Sequence, residues 1–355
     1  MLTVSWLNKE DMPRWNAFVG GHPFGFVYHL SKWCEVLETS FPHIKGRFLG
    51  LVDEDSGEFV AGLPVYEVRS WLTGNRLVSI PFSTFCDPLI SSPDHISKLM
   101  PCLLELFNAA RASSISLRTL HSSGLIRDGE FAVTCFFQHH FLPLDREPQD
   151  LLKLFNASCV RRRIARAEKS HLELRHGESE ADLKAFYRLF IRLRRRLCLP
   201  PIPYRFFLSL WNQFRSTGEL GLSLVFHGAD IVAGMIMLKY NHVATVEFIA
   251  DDEAHRHLSP NHLLYWEAMK EACSEGYRVF SFGRTSVNSS SLMTFKGRWG
   301  TRVIDLPEYI YPLDQGRRMI PDDSSWKYRL ISVMADVLPE SLFRLLGEFC
   351  YRHMG

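Results

Sequence analysis

The chain has 355 residues, of which 46% are hydrophobic and 23% are charged, so it can bury a sizeable core and is too long for one typical domain. We therefore expect two domains. The 41 basic and 39 acidic residues give a formal net charge of +2, which excludes a global electrostatic field that would attract nucleic acid or membrane. Recognition of a polyanion must therefore be local.

The 8 cysteines lie far apart and form neither a Cys-x-x-Cys pair nor a zinc-type spacing with histidine. We interpret them as reduced residues of a cytoplasmic protein, and we predict no metal site. The N-terminus lacks the basic and apolar segments of a signal peptide. No apolar stretch approaches the roughly 20 residues of a membrane span, so we expect at most a peripheral contact with the inner membrane.

Strand-like runs alternate with amphipathic helical stretches along the chain, which predicts an α/β (α+β) fold. Within this pattern, the segment 58–66 (EFVAGLPVY) is echoed by 230–238 (DIVAGMIML), and both contain Val-Ala-Gly. Each copy follows a turn signal rich in small and polar residues. The echo indicates an internal repeat.

The elements predicted around the two copies also match. After the first copy we predict a strand, a helix and a strand, at 76–81, 95–112 and 114–119. After the second copy we predict the same elements, at 243–250, 260–274 and 278–282, and Gly276 closes the helix. The order helix, helix, strand, strand, strand, helix, strand resembles that of a GNAT domain, and its recurrence favours duplication over a chance match.

We therefore predict two tandem GNAT-like domains, each a mixed sheet flanked by helices. The first spans 1–150, the second spans 151–315, and an amphipathic helical tail follows at 316–355. For the tail, whose apolar spacing begins at about 324, we favour packing against the protein body over contact with a membrane surface.

A basic stretch connects the two copies. We predict one helix at 151–175, in which the positive residues are Arg161, Arg162, Arg163, Arg166 and Lys169. This density of charge suits the phosphates of a tRNA acceptor stem, or equally a solvated helix face near anionic lipids.

A long amphipathic helix is predicted next. Ser179 and Asp182 form a capping-box-like start, and apolar residues recur at helical spacing as far as Leu197. Arginines crowd the last turns, where positive charge complements the helix dipole, and Pro200 and Pro201 end the helix.

The start of the predicted helix 260–274 is a candidate anion site. Ser259 is a predicted N-cap, Pro260 takes the first helical position and Asn261 follows, so backbone N–H groups are free to face an anion. In GNAT enzymes that use acetyl-CoA, a glycine-containing loop cradles the pyrophosphate here. This chain keeps Arg256 but lacks both glycines, so conventional CoA binding is not expected. The alternative is an ordinary capped helix.

A second candidate site combines the predicted strand end at 282–284 (FGR) with the segment 295–300 (FKGRWG). Arg284, beside a glycine, can grip a phosphate or carboxylate with two N–H groups, and Lys296 adds a point charge. Trp299 would shape the pocket beside them. The alternative is that Trp299 packs in the core while Lys296 and Arg298 are solvated.

Three neighbouring segments resemble the C-terminal signature of the FemAB-like peptidyltransferases. They are Phe-Gly-Arg-Thr at 282–285, the Ser-rich stretch after it and Phe-Lys-x-x-Trp-Gly at 295–300. The resemblance is strongest to the FemAB-related proteins of exosortase (PEP-CTERM) exopolysaccharide systems, which carry a BioF2-like acetyltransferase domain. Further resembling segments cover nearly the whole chain, at 22–23, 33, 74–82, 160–169, 199–207 and 259–261.

The resemblance implies an N-acyltransferase or aminoacyltransferase that acts on an amine of a peptidoglycan, cell-envelope or exopolysaccharide precursor. It implies an aminoacyl-tRNA or acyl-CoA donor, no permanently bound cofactor, and a small, lipid-linked or nucleotide-linked saccharide acceptor. Departures from the family pattern at 85–88 and 198–201 leave the identity of the substrate open. The alternatives are a non-catalytic binding or scaffold protein with this fold, and a CoA-dependent N-acetyltransferase.

We assign substrate binding to eight residues: Arg284, Lys296, Trp299, Asn261, Arg256, Tyr204, Phe82 and Trp33. An amine that attacks an activated ester or thioester needs positioning and oxyanion stabilisation more than it needs a nucleophile of the enzyme. No catalytic residue is assigned, and six residues stay open as proton acceptors: His29, His255, His257, Glu247, Asp251 and Tyr204.

Overall fold

The computed structural model describes residues 1–126, 129, 131–313 and 338–355. These residues form mixed α/β structure in two compact units, which confirms the predicted fold class. The described residues within 1–138, 305–313 and 349–355 belong to the first unit, and those within 139–304 and 338–348 belong to the second.

The first unit begins with a strand, two helices and a three-stranded meander. These elements are β1 (Leu2–Trp6), α1 (Met12–Gly21), α2 (Ser31–Ser40), β2 (Ile44–Asp53), β3 (Phe59–Val68) and β4 (Arg76–Val78). A helix and two strands follow, namely α3 (Pro93–Ala109), β5 (Ile115–Arg118) and β6 (Ala132–Pro143). Neighbouring strands from β1 to β4 are antiparallel, whereas β4 and β5 are parallel.

The second unit repeats this plan. Its first elements are α4 (Pro148–Leu154), α5 (Arg162–Lys169), β7 (Leu172–His176), α6 (Glu180–Arg196), α7 (Tyr204–Phe214), β8 (Leu220–His227), β9 (Asp230–Tyr240) and β10 (Val243–Asp251). Its remaining helices and strands are α8 (Pro260–Ser274), β11 (Val279–Ser286) and α9 (Ser290–Gly297). Strands β7 to β10 are antiparallel, and β10 and β11 are parallel.

Two further elements complete the described chain. The strand β12 (Arg302–Tyr311) pairs antiparallel with β5 in the first unit through Tyr311 and Ile115. The helix α10 (Glu340–Tyr351) lies near the C-terminus.

The order strand, helix, helix, strand, strand, strand, helix, strand therefore occurs in both units, and the predicted duplication of elements is confirmed. The prediction omitted the first strand of each copy. Both omitted strands are edge strands of five residues with no buried residue, and although polar and apolar residues alternate in them, the run is too short to mark a strand strongly.

The glycine shared by the two echoed segments has the same packing role in both units. A Cβ atom on Gly62 of β3 would lie 2.6 Å from the ring of Trp15, which α1 supplies. A Cβ atom on Gly234 of β9 would lie 2.8 Å from the ring of Phe186, which α6 supplies. Both rings are fully buried. The glycine thus lets an aromatic ring of the first helix pack directly on the sheet.

The prediction of a single basic helix at 151–175 is wrong. The helix α4 ends at Leu154, because the buried Phe155 turns the chain inwards and the side chain of Asn156 accepts a hydrogen bond from the amide of Cys159 at 2.9 Å. A π-type turn, Ala157–Arg161, then leads into α5. The residues after α5 form the strand β7 rather than more helix.

The helix after the basic stretch forms as predicted. The hydroxyl of Ser179 accepts from the amide of Asp182, and the Asp182 carboxylate accepts from the amide of Ser179 at 3.0 Å, which completes the capping box. The helix α6 ends before Cys198, which has a positive φ of 53°.

The predicted tail lies in part outside the described residues, which resume at Leu338. In α10, Phe343 is fully buried and its ring lies 5.1 Å from the guanidinium of Arg195, while Leu342 and Leu345 are exposed. None of the helices that the structure describes is long and apolar enough to cross a bilayer.

Candidate functional site

A cavity of about 520 Å³ opens in the second unit where α8 begins. Its walls combine three arginines with polar and aromatic side chains. The lining residues are Arg163, Arg166, Asp251, Arg256, His257, Ser259, Pro260, Asn261, His262 and Phe295. The cavity therefore brings together residues of α5, the end of β10, the start of α8 and α9.

The strands beside this cavity separate as they approach it. The parallel register of β10 with β11 joins Val243–Thr245 to Val279–Ser281, whereas β10 continues as far as Asp251. The register of β10 with β9 shifts between Val246 and Phe248, so Glu247 lies at a bulge. The parting of two parallel strands leaves a cleft at their carboxyl ends, which is a usual place for a ligand in an α/β sheet.

The segment between β10 and α8 is a tight turn. It contains a short 3-10 helix, Glu253–Leu258, whose first turn is capped by the side chain of Asp252. Ser259 follows in the left-handed conformation, with φ of 66°, and its amide donates to the carbonyl of Arg256 at 3.0 Å. The Ser259 hydroxyl makes no capping bond, which corrects the predicted N-cap, because capping requires an extended backbone at this position.

The carboxylate of Asp251, at the end of β10, fixes this turn through hydrogen bonds to two arginines. Its Oδ2 accepts from Nε of Arg256 at 2.6 Å, and its Oδ1 accepts from Nη2 of Arg196 at 2.8 Å. Burial would raise the pKa of Asp251, but the hydrogen bonds from Arg256 and Arg196 outweigh burial and hold the pKa below its ordinary value. Arg256 also has Glu253 3.6 Å away, so it faces two carboxylates and its positive charge contributes little to attracting an anion into the cavity.

The other two arginines of the cavity wall are Arg163 and Arg166. They stand one turn apart on α5, and both are exposed at the wall of the cavity. Nη1 of Arg166 lies 3.5 Å from the carbonyl of His257, and neither arginine has a carboxylate within 4.0 Å among the residues described. These two guanidinium groups are therefore placed to receive an anionic ligand.

The start of α8 adds two polar side chains. Oδ1 of Asn261 is buried and lacks a hydrogen-bond partner within the described part of the chain. The imidazole of His262 is 5% exposed and stacks on Trp299, with ring centroids 5.6 Å apart. Burial, followed by the charge of Arg163, lowers the pKa of His262 to about 4, so this imidazole is neutral at pH 7.

The segment around Arg284 differs from its prediction. The strand β11 does not end at Phe282 but continues through Gly283, with φ of 69°, to Ser286. Phe295 and Lys296 lie in the last turn of α9. The side chain of Lys296 is buried, and its Nζ donates to the carbonyls of Gly283 and Arg284, each at 3.1 Å.

Burial lowers the pKa of Lys296 to about 7. Because its ammonium group faces two backbone carbonyls, it fixes the kink of β11 against α9 and does not line the cavity. Trp299 is fully buried and touches the cavity only through its stacking partner His262 and through Phe295.

Besides Arg284 and Lys296, the six other residues assigned to substrate binding fall into separate groups. Arg256 and Asn261 line the cavity, and Trp299 lies beneath it. Tyr204 lines a different cavity of the second unit, and its hydroxyl donates to Glu180 at 3.3 Å. Trp33 and Phe82 belong to the first unit, where Trp33 is fully buried and Phe82, with φ of 64°, packs against Phe41 and Tyr351.

The candidate proton acceptors are likewise dispersed. His257 and Asp251 line the cavity. His255 lies 2.9 Å from Oδ2 of Asp252, and the buried His29 of the first unit bonds the carbonyl of Asp87 through Nε2 at 2.9 Å. Sequence reasoning did not single out His262 or place Arg163 and Arg166 at this cavity, although the spacing of the two arginines by three residues would put them on one helix face.

Comparison with known proteins agrees with this architecture. Residues 157–296 match the sequence profile of the family described as Acetyltransferase (GNAT) domain, and this range contains the whole cavity lining. Among curated proteins, none matches the chain.

Solved structures resemble almost the full length of the chain. FemX aligns with a TM-score of 0.73 and 16% identity, over 88% of this chain and 98% of its own. A tandem GNAT protein from the clavulanic acid biosynthesis pathway aligns with a TM-score of 0.56 and 11% identity, over 89% and 100%. A C-terminal domain assigned to a lysylphosphatidylglycerol synthetase of Agrobacterium fabrum aligns with a TM-score of 0.53 and 12% identity, over 86% and 92%.

The chain therefore has the GNAT fold, and its plan is similar to that of tandem GNAT proteins. The predicted similarity to FemAB-like proteins is confirmed at the level of the fold. The link to exosortase exopolysaccharide systems stays a prediction.

Proposed function

We propose that this protein transfers an acyl or aminoacyl group to an amine of a cell-envelope or exopolysaccharide precursor, and that the donor binds in the cavity at the start of α8. One observation carries the proposal: Arg163 and Arg166, which have no carboxylate partner among the residues described, line the cavity together with Asp251 at the carboxyl end of β10. Cationic side chains at the carboxyl end of a sheet suit an anionic donor.

In the proposed reaction, the lone pair of a neutral amine attacks the carbonyl carbon of an ester or thioester. A C–N bond forms, the C–O or C–S bond breaks, and the amine proton leaves with the released alcohol or thiol. The enzyme gains rate by positioning the amine and the carbonyl, and it needs no covalent intermediate. Arg163 and Arg166 hold the donor phosphate, and the buried Oδ1 of Asn261 accepts a hydrogen bond from a donor hydroxyl or amine.

The geometry of the turn favours aminoacyl-tRNA over acyl-CoA. A cradle for the CoA diphosphate needs free backbone amides, yet the amide of Ser259 is bonded to the carbonyl of Arg256, and Pro260 has no N–H. Phosphate binding therefore depends on the arginine side chains. The resemblance to FemAB-like proteins and the TM-score of 0.73 with FemX support the same choice.

For the acceptor, the resemblance supports a lipid-linked or nucleotide-linked saccharide, and we propose that the enzyme meets it in the cytoplasm or at the surface of the inner membrane. The tRNA donor would approach α5, which carries Arg163 and Arg166 together with the exposed Arg162 and Lys169.

The deciding experiment offers the purified protein radiolabelled aminoacyl-tRNA or acetyl-CoA, with an amine-bearing envelope precursor, and measures transfer by chromatography. We expect transfer from aminoacyl-tRNA. A ligand that binds only the folded protein raises its melting temperature. Because we expect no binding of acetyl-CoA, we expect it to leave the melting temperature unchanged at millimolar concentration. Transfer from acetyl-CoA with a clear thermal shift would instead identify a CoA-dependent N-acetyltransferase. Absence of transfer from both donors would favour a binding or scaffold protein.

A further inference from the structure

A second cavity, of about 280 Å³, lies in the second unit among α6, α7 and α10. It shares no lining residue with the cavity at the start of α8. Four cationic side chains face it, namely Lys184, Arg188, Arg192 and Arg344, against the single carboxylate of Glu340.

Three of these cations form a row. Lys184, Arg188 and Arg192 are spaced by four residues on α6, so successive side chains emerge about 6 Å apart on one face. Arg344 approaches from α10, and its guanidinium lies 5.3 Å from the centre of the Tyr187 ring. Like charges at this spacing destabilise a helix.

One of the three charges of this row is paired, and the other two form no ion pair within the described structure. Lys184 pairs with Glu180, with Nζ 2.8 Å from Oε1. Arg188 and Arg192 have no carboxylate within 4.0 Å among the residues of the described ranges. Two exposed guanidinium groups, one helical turn apart, match the geometry of a phosphate that accepts hydrogen bonds from both.

The rest of the lining suits hydroxyl groups. The carboxylate of Glu340 accepts hydrogen bonds, and the hydroxyl of Tyr204 is held near Glu180. The rings of Tyr187 and Tyr204 lie 5.0 Å apart, and the hydroxyl of Tyr187 donates to the carbonyl of Ile202 at 2.8 Å, which fixes the first ring. These groups form a wall that combines a flat aromatic surface with polar oxygens.

We propose that this second cavity is a binding site for a small phosphorylated sugar, with the phosphate on Arg188, Arg192 and Arg344 and the sugar hydroxyls on Glu340 and Tyr204. The volume lies below the roughly 300–1,000 Å³ of sites for drug-sized ligands, which suits one sugar ring with its phosphate. Glu340 would repel a run of successive phosphates, so the lining favours a sugar phosphate over a nucleic-acid strand. Binding at this cavity requires no acyl transfer.

Calorimetric titration at low ionic strength tests the proposal with four probes: glucose 1-phosphate, inorganic phosphate, glucose and a single-stranded oligoribonucleotide. Glucose 1-phosphate is expected to bind the unaltered protein, and glucose is not. Arg188→Gln and Arg192→Gln should each weaken glucose 1-phosphate binding about tenfold or more, the usual effect of losing a charge-assisted hydrogen bond. Lys98→Gln is the matched control, because it removes an exposed charge from α3 outside both cavities.

Glu340→Gln separates the two halves of the proposed ligand. It should weaken glucose 1-phosphate binding but not inorganic phosphate binding, since only the sugar needs the carboxylate. The proposal is overturned if glucose 1-phosphate does not bind at millimolar concentration, or if the Arg188→Gln/Arg192→Gln double variant binds it as tightly as the Lys98→Gln control does. Binding of the oligoribonucleotide alone, lost in that double variant, would also overturn it and would show a nucleic-acid surface.

Discussion

Asp251 and Arg256 form an ion pair with Nε 2.6 Å from Oδ2, and this pair ties the end of β10 to the turn that opens α8. Arg196 shares the same carboxylate from α6, at 2.8 Å. The wall of the proposed donor cavity thus depends on one buried carboxylate that holds two guanidinium groups from different elements.

Asp251→Asn is expected to lower the free energy of unfolding by about 2 kcal/mol at pH 7, since both arginines lose a charged acceptor while remaining partly solvated. The pKa of Asp251 is depressed in the folded protein, so its contribution is present above the ordinary value of 3.8 and is lost as the pH falls through the folded pKa. Urea denaturation at pH 7 and pH 3 measures both effects. Asp145→Asn, which breaks the exposed pair with Arg146, is the control and should change nothing. An equal loss at both pH values would contradict the ionic role.

Arg163→Gln is expected to reduce kcat/KM for the aminoacyl donor about tenfold or more, because one charge-assisted hydrogen bond to phosphate is lost. The loss should shrink at high ionic strength, since salt screens exposed charges. Arg162→Gln removes the same charge from the same helix outside the cavity and should keep most of the activity. An equal loss of kcat/KM in the two variants would show that the donor responds to the overall positive charge of α5 rather than to a defined contact with Arg163.

Lys296 makes stability depend on pH near neutrality. Burial lowers its folded pKa to about 7 from an ordinary 10.5, so between these values the unfolded chain binds more protons and stability rises with pH. The free energy of unfolding of the unaltered protein, minus that of Lys296→Met, should grow by about 2 kcal/mol from pH 7 to pH 9. If this difference in the free energy of unfolding is the same at pH 7 and pH 9, it reflects only the lost hydrogen bonds to Gly283 and Arg284. That result would contradict the depressed pKa of Lys296.

Gly283→Ala tests the kink of β11. Its φ of 69° is costly for any residue with a Cβ atom, although the new Cβ would lie 3.7 Å from the nearest atom, the carbonyl oxygen of Val246, and would not clash. We expect a loss of about 1–2 kcal/mol from backbone strain alone. Gly297→Ala, in α9 with open space and no positive φ, should be neutral or slightly stabilising. Thermal denaturation compares the two, and equal behaviour would argue against strain at 283.

Local signals predicted parts of the fold well. The bounds of α8 were predicted correctly, because Pro260 marks the first helical position and Gly276 accommodates the left-handed turn after the helix. The capping box of α6 was equally visible, since both partners lie within four residues of each other. The basic stretch was predicted wrongly because the break at Phe155 depends on the core that this ring enters, which local spacing does not reveal.

The candidate site was less predictable for the same reason. Lys296 and Arg284 are close in sequence and carry like charges, so a shared anion was a reasonable interpretation. The direction of the Lys296 side chain is decided by how α9 packs on β11, which directs its ammonium group to two carbonyls. Arg163 reaches the cavity only because the break before α5 places this short helix against the start of α8.

The two glycine and aromatic pairs, Gly62 with Trp15 and Gly234 with Phe186, carry an evolutionary consequence. In each pair the ring occupies volume that a side chain on the strand would need, and at Gly62 the backbone carbonyl oxygen of Leu49 also lies 2.6 Å from the Cβ position. A larger strand residue therefore clashes, and a smaller ring leaves a void. Related chains should therefore keep glycine at 62, where backbone blocks a side chain, whereas at 234 a bulkier strand residue should be accompanied by a smaller helix residue. The two halves of the duplicated chain can differ in sequence at other positions and still keep, in each copy, the packing of a helix ring on a strand glycine.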